Sequence, residues 1–94
     1  MTEGRAALLA EADRALAVQD FARAATLFDE AAKDGDDPSV LLRLAGAHRA
    51  LGRPRAALDT VHRALALVPL DFTALMLRAS LLERMGDPNA GEAW

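Results

Sequence analysis

Residues 41–69 have the sequence LLRLAGAHRALGRPRAALDTVHRALALVP, and this stretch decides how the chain folds. Apolar residues recur there every three or four positions on both sides of the turn at Gly52-Arg53-Pro54. This spacing is typical of two amphipathic helices interrupted by a short break. Because the connection is only a few residues long, the two helices must lie antiparallel against each other. The centre of the chain is therefore predicted to be a helical hairpin.

The same spacing continues towards both ends of the chain. Asp20, Asp37 and Asp71 each precede an apolar-periodic segment and are predicted N-caps, and Pro38 occupies a first helical position. The predicted helices extend from Glu3 to Ala17, from Asp20 to Lys33, from Pro38 up to Gly52, from Pro54 up to Pro69, from Asp71 to Gly86, and from Asp87 for about two turns.

The helical pattern repeats every 33 or 34 residues. Leu8 and Ala12 recur as Leu41 and Ala45 and then as Leu75 and Ala79, while Ala24, Phe28 and Ala31 recur as Ala57, Val61 and Ala64. A helix pair with a fixed period of this length indicates a solenoid, in which each pair packs on the next. The small alanines are expected where helices approach closely: Ala12, Ala45 and Ala79 within pairs, and Ala24, Ala31, Ala57 and Ala64 between pairs.

The central copy resembles the tetratricopeptide repeat family. Leu41-x-x-Leu44-Ala45-x-x-His48 stands where that family has Trp-x-x-Leu-Gly-x-x-Tyr, and Gly52, Ala57, Val61, Ala64 and Pro69 follow at the family spacing. The first copy departs from the pattern at Glu11 and Gln19, and the third at Arg78 and Gly91. The resemblance implies an all-α, right-handed solenoid of antiparallel helix pairs with about two and a half repeats. Residues 1–94 would form one domain, with repeats at approximately 5–37, 38–71 and 72–94, the last incomplete.

The resemblance also implies a concave groove, lined by the first helix of each pair, that binds peptides or other extended segments. The equivalent inward positions form three rows: Leu9, Leu42 and Met76; Asp13, Gly46 and Ser80; and Leu16, Arg49 and Glu83. The Lys and Asn residues with which some members bind an acidic C-terminus are absent. An apolar or mixed segment is therefore expected, with Arg49 available to contact a carboxylate. Two alternatives remain open: the leucines only pack against neighbouring helices, and Gly46 serves close helix packing.

No catalytic or metal-binding pattern was found in the sequence. The chain has no cysteine, its glycines are too scattered for a phosphate-binding loop, and neither His48 nor His62 begins the His-x-Asp/Glu motif of non-haem iron sites. His48 falls on the packed face of its helix, where a buried and hydrogen-bonded histidine is expected, and His62 is expected to be exposed. We therefore expect this chain not to be an enzyme and to hold no cofactor and no metal.

Composition and charge narrow the classes of partner. Hydrophobic residues make up 52% of the 94 residues and charged residues 27%, as in a folded domain, and aromatic residues make up only 4%. The net charge is −3, which disfavours nucleic-acid binding, and the longest uncharged run covers only residues 64–70, too short to cross a membrane. A cytoplasmic interaction module is predicted.

Residues 1–37 hold nine acidic and four basic residues, and residues 38–94 hold five acidic residues and seven arginines. This asymmetry either steers a partner or is simply an uneven solvated surface.

The third copy ends about two turns into its second helix, so Leu75, Leu82 and Met85 are expected to lack part of their cover. Either the chain is a fragment of a longer protein or another copy covers this face, and self-association through the incomplete repeat is expected in both cases.

A weaker resemblance, to N-terminal repeats of bacterial aspartyl/asparaginyl β-hydroxylase-like oxygenases, rests on residues 70–75, 78–84 and 90–94. It implies an alternative function: a non-catalytic accessory domain that positions substrate or mediates oligomerisation beside an iron and 2-oxoglutarate domain.

Overall fold

The computed structural model describes residues 2–33 and 35–86, which form five α-helices. They are α1 (Thr2–Ala17), α2 (Phe21–Ala32), α3 (Pro38–Ala50), α4 (Pro54–Leu67) and α5 (Phe72–Gly86). No strand occurs in these two ranges. The helical boundaries agree with the predicted ones to within a few residues, and the predicted sixth helix, which begins at Asp87, lies outside the described residues.

Three of the helices begin at aspartates, as predicted. The Asp20 carboxylate accepts a hydrogen bond from the Arg23 amide at 3.2 Å, and the Asp37 carboxylate accepts one from the Ser39 amide at 2.9 Å. At the start of α5, the Asp71 carboxylate accepts one from Ala74, which donates its amide at 3.1 Å. Each bond satisfies a backbone donor that has no partner within the helix, so the side chain fixes where the helix begins.

The turns inside the first two hairpins have the same backbone hydrogen bonds although their sequences differ. The Asp20 amide donates to the Ala15 carbonyl at 2.8 Å, and the Arg53 amide donates to the His48 carbonyl at 2.9 Å. The residue before each donor is left-handed, with φ of 61° at Gln19 and 74° at Gly52. Only the second turn uses glycine, the residue that adopts this conformation without steric cost. The first hairpin therefore carries local backbone strain at Gln19.

Packing in the described ranges joins consecutive helices: α1 with α2, α2 with α3, α3 with α4, and α4 with α5. Two apolar clusters result, one centred on Phe28, Leu41 and Leu44, and one on Val61 and Leu81. The alanines predicted at close approaches within and between pairs are fully buried: Ala12, Ala24, Ala31, Ala45, Ala57 and Ala64. This serial packing, in a molecule of 45 × 29 × 17 Å, confirms an all-α helical-repeat fold rather than a closed bundle.

Ala79 was predicted to lie where the two helices of the third pair approach each other, but the second helix of that pair lies outside the described residues. Ala79 is exposed on α5, whose main packing partner among the described helices is α4. On the opposite side of the same helix, Ala74 and Leu81 are fully buried in the second cluster, which also contains Ala45 of α3. Burial on α5 is therefore one-sided.

Candidate partner-binding groove

The eight predicted site residues lie on the first helices of the hairpins. Leu9 and Asp13 are on α1; Leu42, Gly46 and Arg49 are on α3; and Met76, Ser80 and Glu83 are on α5. Leu9 and Leu42 are half-buried, whereas the other six are exposed. All eight residues thus retain some solvent-accessible surface, which a binding residue requires.

The row formed by Leu9, Leu42 and Met76 is half-buried on α1 and α3 and exposed on α5. Leu9 packs against the first apolar cluster, and Leu42 packs against both clusters. Met76, at the equivalent position of α5, is 57% exposed. Leu9 and Leu42 therefore do pack against neighbouring helices, as the alternative interpretation expects, although each keeps some exposed surface. Met76 does not fit that alternative, because most of its side chain is exposed. A flexible thioether side chain exposed in this way can adapt to apolar groups of different shapes.

Asp13 is paired with a residue that the sequence analysis did not select. The Arg43 guanidinium donates through Nη1 to both carboxylate oxygens of Asp13, at 3.2 and 3.3 Å, and so joins α1 to α3. The opposite charges lie 30 residues apart, and only their placement on corresponding helices of a repeat would have suggested the contact. The carboxylate of Asp13 therefore already contacts a cation of the protein itself.

Gly46 leaves open space in the middle of α3. Apart from its own helix backbone and its two chain neighbours, a Cβ atom built at this position has no heavy atom of the described residues within 4 Å. The interpretation of Gly46 as a close-packing residue is therefore wrong, because no neighbour approaches where its side chain would be. Glycine inside a helix costs about 1 kcal/mol relative to alanine, and packing does not explain this cost.

Two adjacent open cavities lie at the α5 end of the groove. The first, of about 450 Å³, is lined by Met76, Ala79, Ser80, Glu83 and Arg84. The second, of about 320 Å³, is lined by Arg49, Ala50, Gly52, Pro54, Arg84 and Met85. Arg84 contributes to both cavities, yet the sequence analysis did not select it. The structure thus brings three of the predicted residues, Met76, Ser80 and Glu83, together in one cavity and places Arg49 in the next.

His48 is half-buried, and no hydrogen bond of its side chain to another described residue is formed. Its Nδ1 atom is buried without a hydrogen-bond partner, next to a cavity of about 250 Å³ that is also lined by Ala25, Thr26, Asp29 and Arg53. Burial lowers the pKa of His48 below 6.5, the positive charge of Arg53 lowers it further, and the negative charge of Asp29 partly opposes both effects. The half-buried ring therefore lies beside a cavity that charged and polar side chains line. His62 is exposed, as predicted.

The described ranges hold neither a metal-binding cluster nor a membrane-spanning helix. Within residues 2–33 and 35–86, no three His, Asp or Glu side chains are grouped closely enough to hold a metal ion. None of the helices in these ranges has both the length and the apolar character needed to cross a bilayer.

A family model described as "Tetratricopeptide repeat" matches residues 15–93. The chain belongs to the tetratricopeptide repeat family. Tetratricopeptide repeats generally mediate protein–protein interactions, typically as non-catalytic modules. Comparisons with curated proteins and with solved structures found no match.

Proposed function

We propose that this tetratricopeptide repeat domain binds an extended segment of a partner protein in the groove along α1, α3 and α5. The observation that carries the proposal is the open space at Gly46, the central position of the middle row. On the same helices, exposed Met76 offers an apolar contact and exposed Arg49 offers a guanidinium. A bound segment therefore has room at the centre of the groove and recognition groups of both kinds towards α5.

The partner segment is expected to be apolar or mixed rather than an acidic C-terminus. Leu9 and Leu42 occupy positions where the carboxylate-binding members of the family have polar donors, and Asp13 is paired with Arg43. The affinity would come mainly from apolar contacts, while polar contacts would set orientation.

Filling the open space at Gly46 tests the proposal. Gly46→Met places a side chain in the groove without a backbone clash and improves helix propensity, so the variant is expected to fold. Ala66→Met adds the same side chain at an exposed position of α4 and is the matched control. Random twelve-residue peptides displayed on phage would be selected on the wild-type protein and then measured against both variants by fluorescence polarisation.

We expect the selected peptides to lose at least tenfold in affinity for Gly46→Met and to retain their affinity for Ala66→Met. Equal binding to both variants, or a wild-type protein that selects no peptide, would contradict groove binding. Leu42→Asp and Arg49→Glu provide further tests of the same surface. Leu42 packs against both clusters, so Leu42→Asp must first be shown to be folded by circular dichroism.

We also propose that copies of the chain associate through α5. Leu82 is 49% exposed and Ala79 is exposed on the side of α5 that no other described helix covers. Exposed apolar surface of this kind favours association in solution. Sedimentation over a range of protein concentrations is expected to show dimers that Leu82→Glu weakens. A strict monomer at high concentration would contradict this part of the proposal.

The alternative function, an accessory domain of an iron and 2-oxoglutarate oxygenase, is supported by the weaker resemblance of residues 70–75, 78–84 and 90–94 alone. The gene sequence around this chain tests it directly. A His-x-Asp/Glu and a later His encoded downstream of Trp94 would favour the alternative. Their absence from the gene would remove it.

A further inference from the structure

We infer that Arg49 and Arg84 together form a site for an acidic side chain of the bound segment. This inference rests on the proposed groove function and deepens it by specifying the chemistry of the partner. Arg49 was selected from the sequence alone as one carboxylate contact. The structure adds a second guanidinium from another helix, so that a single glutamate or aspartate side chain would be held by both.

The two arginines come from different repeats but line one cavity. Arg49 lies in the last turn of α3, and Arg84 lies in the last turn of α5. Both line the cavity of about 320 Å³, whose other lining residues, Ala50, Gly52, Pro54 and Met85, carry no charge. Among the residues that the structure describes, the cavity is therefore lined by two positive groups and by apolar residues, and by no acidic side chain.

The arginines also differ from those that the fold uses as internal ion-pair partners. Within residues 2–33 and 35–86, the ion pairs involve Arg5, Arg23, Arg43 and Arg63, each of which lies within 4 Å of a carboxylate of the protein itself. Within the same ranges, neither Arg49 nor Arg84 has a carboxylate within 4 Å, and both residues are exposed. Two cations beside one cavity repel each other, and an anion placed between them removes that repulsion. A guanidinium is a planar donor that matches a carboxylate in two-point contact.

The position of Arg84 links this site to the apolar part of the groove. Arg84 also lines the neighbouring cavity that contains Met76. A segment that places an apolar side chain against Met76 thus reaches the arginines at the next cavity. The apolar surface of Met85 and Pro54 suits the methylene groups of a glutamate, whose carboxylate would meet the two guanidinium groups. The preferred segment therefore carries an apolar residue followed or preceded, within a few positions, by an acidic one.

Peptide selection on matched arginine variants tests the inference. The test variant is Arg49→Gln with Arg84→Gln. The control is Arg14→Gln with Arg55→Gln, two exposed arginines outside the groove that likewise have no ion-pair partner in the described ranges. Wild type and control are expected to select peptides with glutamate or aspartate enriched at one position. The test variant is expected to lose this enrichment while it keeps the apolar preference.

A selected peptide and its Glu→Gln counterpart then give a double-mutant cycle. We expect the peptide change to weaken binding to the wild-type protein about fivefold, and to leave binding to the Arg49→Gln, Arg84→Gln variant unchanged. Peptides that bind through the groove without acidic enrichment, or an equal loss in the control, would overturn the inference while leaving the proposed function intact.

A second measurement does not depend on peptide binding. The arginine Nε–Hε signals of the isotope-labelled protein would be followed by NMR during titration with N-acetyl-glutamic acid amide and with the neutral N-acetyl-glutamine amide. The signals of Arg49 and Arg84 are expected to shift together and to saturate only with the charged probe, while Arg55 stays unchanged. Equal shifts of all three signals, or none at saturating probe, would overturn the inference even if the groove binds peptides.

Discussion

α3 and α5 occupy the same place in successive repeats, yet they are buried differently. Leu41 on α3 is fully buried, whereas the equivalent Leu75 on α5 is half-buried, and buried Ala45 corresponds to exposed Ala79. α3 packs extensively against both α2 and α4, while α5 packs mainly against α4 among the described helices. In a repeat array, the sequence pattern marks which faces can be buried, and the neighbouring helices decide which of them are buried.

Truncating a leucine on each helix gives the largest expected difference. Leu44→Ala removes side-chain atoms from the first cluster and is expected to lower the free energy of unfolding by about 2–5 kcal/mol, because a cavity remains. Leu82→Ala should cost less than about 1 kcal/mol, since half of that side chain is already in water. Urea unfolding followed by circular dichroism measures both. Equal losses of unfolding free energy in the two variants would contradict the difference in burial between α3 and α5.

Enlarging an alanine at an interface between repeats tests the packing from the opposite direction. Ala57 on α4 is fully buried, so Ala57→Leu is expected to overpack the second cluster and to cost about 1–3 kcal/mol. Ala66→Leu, at an exposed site on the same helix, should leave stability within about 0.5 kcal/mol of wild type. A melting temperature unchanged by Ala57→Leu would contradict the assigned repeat register.

The two equivalent turns extend the comparison to the first repeat. Gly52→Gln puts a side chain on a residue with φ of 74° and is expected to destabilise the protein by about 1 kcal/mol. Gln19→Gly relieves the corresponding strain at φ of 61° and is expected to stabilise by a similar amount. Thermal unfolding of both variants measures the two effects, which should have opposite signs. Effects of the same sign would mean that the turns are not equivalent.

Alanine substitutions at Gly46 on α3 and at the equivalent Ser80 on α5 give a further comparison of the two helices. Gly46→Ala on α3 is expected to raise the free energy of unfolding by about 1 kcal/mol, because the added methyl group meets no neighbour and helix propensity improves. Ser80→Ala, 34 residues later on α5, should gain only about 0.5 kcal/mol. Peptide binding should survive both changes, since a methyl group leaves most of the open space. Destabilisation by Gly46→Ala would restore the close-packing explanation.

The smallest expected effect is the pH dependence of the free energy of unfolding that His48 contributes. His48 on α3 occupies the position that Leu82 has on α5. The pKa of His48 is lowered in the folded protein, so the unfolded chain binds this proton more readily. Stability should be fully present above about pH 6.5 and should fall as the pH drops from there to the lowered pKa. His48→Gln should remove this part of the slope of unfolding free energy against pH, and His62→Gln serves as the control. If His62→Gln removed this slope and His48→Gln did not, the pH dependence would not come from His48.

Local features of the fold were predictable because they depend on neighbouring residues in the chain. The three aspartate N-caps and the first-turn prolines were identified from residue type and position, and the structure has them. The buried alanines followed from the 33- to 34-residue period, which fixes the faces that meet. Both kinds of inference use short spacings along a helix or one constant repeat length.

Features that depend on contacts between helices were not predictable in the same way. The Asp13–Arg43 ion pair requires a particular distance between α1 and α3, and the shared cavity of Arg49 and Arg84 requires the ends of α3 and α5 to lie close together. The unsatisfied Nδ1 of His48 reflects which atoms happen to surround a half-buried ring. A periodic pattern gives the face of a helix but not the distance between side chains on different helices.

The connection between the first two hairpins is held from both sides. Asp36 accepts a hydrogen bond from Arg63 of α4 at 2.8 Å, and Asp37 lies 3.6 Å from Arg5 of α1. Adjacent carboxylates thus attach one short linker to a preceding and a following helix, and salt weakens such partly exposed pairs. Higher ionic strength is therefore expected to weaken both attachments of this linker.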